Sequence, residues 1–119
     1  MPERSGPQPQ KQMTIKELFR AHEVIRKHAN EREFPAQVCS IFLLIAGKGD
    51  MRQGDISELV GIAHSAVSRN VSWLGPRNTL KRRSGLRWIE IYPDPQDYKR
   101  NRVRLTSLGR RVIAEALAA

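Results

Sequence analysis

A single cysteine, Cys39, stands in 119 residues, so an internal disulfide is impossible and a cysteine-rich zinc site has no ligands. The three histidines, His22, His28 and His64, are not spaced as metal ligands, and no metal site is expected. The longest apolar run, residues 41–46, falls far short of the roughly 20 residues that span a bilayer. The first residues carry no signal-peptide apolar region, so neither membrane insertion nor secretion is expected, and the expected location is cytoplasmic and nucleoid-associated. Catalytic constellations are missing too: Ser68 has no His and acid companions, the carboxylates do not cluster, and no glycine-rich loop cradles a phosphate. Neither an enzyme nor a cofactor is expected.

Acids are the next scarcity. Twelve Asp and Glu face 21 Lys and Arg, a net charge of +9, which draws the chain toward polyanions such as nucleic acid or an anionic membrane surface. The excess is local, because residues 75–111 carry eleven cations against Glu90, Asp94 and Asp97. At this length the chain holds one compact domain, expected over residues 13–119, behind a proline-rich flexible tail at residues 1–12.

Periodicity divides the domain. Thr14 and Glu17 form a T-x-x-E capping box, and Ile15, Leu18, Phe19, His22, Ile25 and Ala29 follow at helical spacing, predicting a helix over 14–30. Pro35 and Gly47 bracket a second helix, apolar over most of its circumference, which should form the core. A short third helix is expected over 52–60, with Ile56, Leu59 and Val60 inward, and a fourth over 63–74, with Val67, Val71 and Leu74 inward. His64, Ser65, Ser68, Arg69 and Ser72 then face outward, and the tight Gly-Ile-Ala connection makes the pair a helix-turn-helix pattern. Residues 87–92 and 101–105 read as a two-stranded antiparallel wing around a turn at 93–100. Thr106 or Ser107 caps a last helix whose stripe is Leu108, Val112, Ile113, Ala116 and Leu117. The fold class is mainly α with a small β wing, a winged helix-turn-helix.

From residue 52 to 117 the chain resembles the MarR-type winged helix-turn-helix transcription regulators. Residues 97–110, DYKRNRVRLTSLGR, are similar in register to the family's D-R-R-x-x-x-V-x-L-T-x-x-G-R, with Lys99 for the family's Arg and Tyr98 standing between it and the Asp. Ser65-Ala66-Val67-Ser68-Arg69 resembles its recognition-helix S-x-V-S-R, although Ala63 replaces the usual Ser or Thr cap.

The resemblance implies a homodimeric regulator of transcription that binds a pseudo-palindromic duplex site and represses by occupying a promoter. It places His64, Ser65, Ser68, Arg69 and Ser72 at a major groove, Arg69 reading either a base edge or a phosphate. Lys99, Arg100 and Arg102 would reach the minor groove or phosphates, with Asp97 pairing a neighbouring base to hold the tip. Arg77, Lys81, Arg82 and Arg83 are either further phosphate contacts or a solvated basic loop. The dimer would form through the first and last helices, at Ile15, Leu18, Phe19, His22, Val112, Ile113, Ala116 and Leu117. A small-molecule effector is less expected. Cys39 reads as a core residue rather than an oxidant sensor, and Trp73 and Trp88 as packing. Two other functions share these features: a protein-interaction adaptor built on a winged helix, and a replication or architectural DNA-binding protein.

Overall fold

The computed structural model describes residues 12–30, 33–78 and 83–119. The expected tail, apart from Gln12, therefore lies outside the described residues, as do Lys81 and Arg82. The capping box forms as its residue types require. The Thr14 hydroxyl accepts the Glu17 N–H at 3.1 Å and the Glu17 carboxylate accepts the Thr14 N–H at 3.0 Å, which starts α1 (Ile15–Ala29). Helix α2 (Ala36–Lys48) is the centre of the protein, with Val38, Ile41, Phe42 and Ile45 wholly buried.

The chain leaves α2 through Gly49, at φ 84°, into β1 (Asp50–Arg52) and passes without a linker into α3 (Gln53–Val60). Gly61, at φ 77°, stops α3 in the left-handed region that suits glycine. The Ser57 hydroxyl donates to the Ile62 carbonyl and fixes the turn into α4 (His64–Leu74). Val67, Val71 and Leu74 are buried as the spacing predicts, as is Ile56, but Leu59 is 55% exposed. It stands at the edge of a groove with Met51 and Arg102 rather than under α4.

The remaining elements are a small ribbon of β2 (Arg77–Asn78) and β3 (Arg83–Ser84), the hairpin of β4 (Ile89–Asp94) and β5 (Asp97–Leu105), and α5 (Ser107–Ala118). The wing differs from the expected two strands. It is three-stranded and antiparallel, in the order β1-β5-β4, with Met51 opposite Val103 and Ile91 on the other side of Val103. Its turn shrinks to Pro95 and Gln96, so most of the stretch expected as turn is strand. Pro93 is tolerated because β4 is an edge strand.

Trp88 joins the two halves. Its ring, 2% exposed, lies 4.7 Å from the Phe42 ring centroid and 5.8 Å from that of Phe34. Its N–H donates to the Leu74 carbonyl at the end of α4, and its carbonyl accepts the N–H of Thr106, the cap of α5, each at 2.9 Å. The preceding N–H groups of Leu86 and Arg87 bond to Trp73 and Gly75, so carbonyls left open by the end of α4 are satisfied by the chain that returns beside it.

Helices α1 and α5 pack on each other, and His28 Nε2 meets Glu115 Oε1 at 2.7 Å across them. This corrects the expected interface. Val112, 0% exposed, and Ala116, 5%, are spent inside the chain's own core, and Ile113 is half-buried. Ile15, Leu18, Phe19, His22 and Leu117 remain at the surface.

Candidate nucleic-acid interface

The face of α4 away from the core carries His64, Ser65, Ser68 and Arg69, all exposed. Helical spacing puts them there because Val67, Val71 and Leu74 occupy the opposite arc. Ser72 differs from its expected place. It is half-buried, and its hydroxyl donates to the Arg69 carbonyl at 2.8 Å, a local bond that turns the side chain back on its own helix.

The wing stands against this face. A cleft of about 550 Å³ is lined by His64, Val67 and Ser68 of α4, by Arg52, Gln53, Gly54, Asp55 and Glu58 at the start and side of α3, and by Lys99, Arg100 and Asn101 of β5. Four predicted residues, His64, Ser68, Lys99 and Arg100, are thus brought together from two elements. Arg52 and Asn101 join them without having been expected. Asn101 could have been found from the β5 alternation, which puts it on one face with Val103 and Leu105. For Arg52 the signal lay in a three-residue strand too short to show a period.

Other predicted residues go elsewhere. Arg102 leaves the cleft: its Nε donates to Asp50 Oδ1 at 2.8 Å and one Nη lies 3.8 Å from Asp94, in a separate groove with Lys48 and Leu59. Asp50 explains the displacement, since β1 sets it beside β5, where Tyr92 also donates to it. Burial pushes the Asp50 pKa up, but the Tyr92 and Arg102 hydrogen bonds prevail and hold it below the ordinary carboxylate value. Arg104 is likewise engaged, donating to Glu90 with its guanidinium 4.3 Å over the Tyr92 ring. Arg77 and Arg83 are exposed on the β2–β3 ribbon and do not line the cleft.

Two carboxylates hold the wing tip in the same way. Asp97 Oδ1 accepts the Lys99 N–H at 3.2 Å while Oδ2 meets Arg100 Nε at 3.2 Å. Asp94 Oδ1 accepts the Gln96 N–H at 2.9 Å while Oδ2 accepts Arg52 Nε at 2.9 Å. The first is the expected tip clamp; the second ties the hairpin to the root of α3. The Gln96 N–H holds the Asp94 carboxyl below its ordinary value, with burial opposing and Arg52 adding to the lowering. A lowered folded-state pKa means that this contribution is complete above the ordinary value of 3.8 and is lost as pH falls through the folded one. The Asp94 tie should therefore be intact at neutral pH and open only in acid. Hydrogen exchange at the Gln96 amide should accelerate at pH 7 in Asp94→Ala, and less in Asp94→Asn, whose carbonyl can still accept the Gln96 N–H.

Burial pushes the Cys39 thiol above its usual pKa, which leaves little thiolate. Among the described residues no helix is long and apolar enough to cross a membrane.

No protein-family model matches the sequence, and no curated protein sequence does. Solved structures do. The transcriptional regulator Tm0710 from Thermotoga maritima is 25% identical over 87% of this chain and 63% of its own, with a TM-score of 0.64. The YusO protein from Bacillus subtilis is 21% identical over 87% of this chain and 64% of its own, at 0.59. A mutant MarR from E. coli, solved with operator DNA, is 15% identical over 85% of this chain and 66% of its own, at 0.56. The chain spans just under two thirds of the length of these proteins. It has the winged helix-turn-helix fold of MarR-type regulators.

Proposed function

We propose that the protein is a sequence-specific duplex DNA-binding regulator of transcription that acts as a homodimer and represses by occupying its site. The carrying observation is the cleft that sets His64 and Ser68 of α4 opposite Lys99 and Arg100 of the wing. A helix with a small polar face fits a major groove, and cations on an adjoining hairpin reach the flanking phosphates or the minor groove. The MarR structure with operator DNA supports the same use of the fold.

In this reading Ser65, Ser68 and Arg69 meet base edges and phosphates, and Arg77 and Arg83 add backbone contacts. Specificity rests on few side chains, because most of the positive charge lies outside α4. Selection of bound sequences from a random duplex pool tests the reading directly. It should return a two-fold symmetric site with half-sites about one helical turn apart. Arg69→Ala should weaken binding to that site about tenfold. Lys99→Ala should lower the slope of log K against log salt by about 0.9. Equal affinity of wild type and both variants for every duplex would overturn the proposal.

Dimerisation rests on the apolar surface left at one end of the protomer. Ile15 is 81% exposed, Phe19 63% and Leu18 54% within one turn of α1, and Leu117, 74% exposed, lines one hollow with Leu18; this is apolar surface that water disfavours and a second copy can cover. Sedimentation at micromolar concentration should give a dimer, and Phe19→Asp a monomer; a wild-type monomer would rule the dimer out.

A further inference from the structure

The register of the wing hairpin isolates three residues. Pro93 pairs with Asn101 and Asp94 with Asp97, so Tyr98, Lys99 and Arg100 have no residue opposite them on β4. They form a bulge extruded from β5 just beyond the two-residue turn. Bulges re-aim side chains, and this one is fixed by Asp97, which takes the Lys99 N–H on one oxygen and Arg100 on the other.

Tyr98 leads this bulge and is 82% exposed. The other large exposed apolar residues sit elsewhere: Met13, Ile15, Leu18, Phe19, Leu43 and Leu117 on α1, its approach, α2 and α5, and Leu59 on α3. Tyr98 therefore belongs to no apolar patch of the kind a protein partner covers. Its immediate neighbours are Lys99 and Arg100, both lining the cleft. An aromatic ring beside two cations on a rigid tip suits a polyanion that also offers apolar surface, which in duplex DNA means deoxyribose walls and base edges.

We infer that Tyr98 enters the minor groove of bound DNA together with Lys99 and Arg100, and supplies the wing with an apolar, salt-independent contact. This rests on the DNA-binding reading above. The chemistry separates it from its neighbours: the cations contribute by displacing counterions from phosphates, whereas the ring contributes by leaving water. The wing would then hold DNA where salt has screened most of its charge.

The test compares wild type, Tyr98→Ala, Tyr98→Phe and Lys99→Ala on one duplex of about 30 base pairs, roughly three helical turns, taken from the random-pool selection. Tyr98→Ala should lose about tenfold in affinity with an unchanged salt slope. Tyr98→Phe should bind nearly as wild type, and Lys99→Ala should change the slope. Thermal midpoints should coincide, since the removed ring touches little of the fold. A second measurement uses Tyr98→Trp: Trp73 and Trp88 are buried, so the new exposed indole dominates quenching by acrylamide, a neutral quencher that the charge of DNA does not repel, and should become shielded when duplex is added. If wild type binds and Tyr98→Ala binds equally well, or the indole stays accessible in the complex, the inference fails alone. If wild type binds no duplex, the DNA-binding reading fails and takes this inference with it.

Discussion

Trp88→Ala should destabilise the protein by about 3–5 kcal/mol, the usual range for deleting a large buried aromatic. The ring is 2% exposed and packs on Phe42 and Phe34, so its loss removes apolar burial and opens a cavity beside the most buried helix. The position is more sensitive than its ring contacts alone suggest. The same residue bonds the end of α4 to the start of α5 through its two backbone groups, and collapse of the surroundings into the vacated space pulls on both. Denaturant unfolding should show the midpoint falling with little change in slope. A loss under about 1 kcal/mol would mean that Phe34 and Phe42 refill the space.

Gly109→Ala should be nearly as damaging for the opposite reason. A Cβ added at Gly109 would lie 2.0 Å from the Trp88 carbonyl oxygen and 3.0 Å from its carbon, both backbone atoms that cannot swing away. Alanine gains about 1 kcal/mol over glycine in helix propensity, but the clash costs about 3 kcal/mol and decides the sign. Helix α5 would have to lift off the Trp88 backbone, straining the Thr106 bond to Trp88. Gly47→Ala is the control. It stands in α2 with nothing within 4 Å of the added carbon, so the same substitution should stabilise by up to about 1 kcal/mol. Melting the two variants side by side separates steric from propensity effects.

Local chemistry made the helices legible. A capping box at Thr14, a left-handed glycine at Gly61 and a threonine cap at Thr106 each do their work within one turn, so their sequence signal is complete. β1 was not legible, because Asp50, Met51 and Arg52 form a strand only by lying against residues 102–104, far along the chain. The apolar stripes of α1 and α5 were visible, but not which parts face each other and which face outward. Val112 and Ile15 look equally apolar in sequence, yet one is 0% exposed and the other 81%. For the candidate site, periodicity located the α4 face and the charged wing. It could not show that Arg102 lies within reach of Asp50 and is withdrawn, or that Arg52 reaches Asp94.

β1 has a mechanical consequence. It is bonded sideways to β5 and continues end-on into α3, which is bound through Gly61 and Ser57 to α4. The hairpin and the helix pair are therefore one casting with no joint between them, and the Arg52–Asp94 pair braces the outer end. Changing the angle between α4 and the wing requires peeling β1 off β5. The chain then behaves as a rigid die. In the homodimer proposed above, any adjustment to the spacing of two half-sites would be made at the joint between the two copies rather than inside either one.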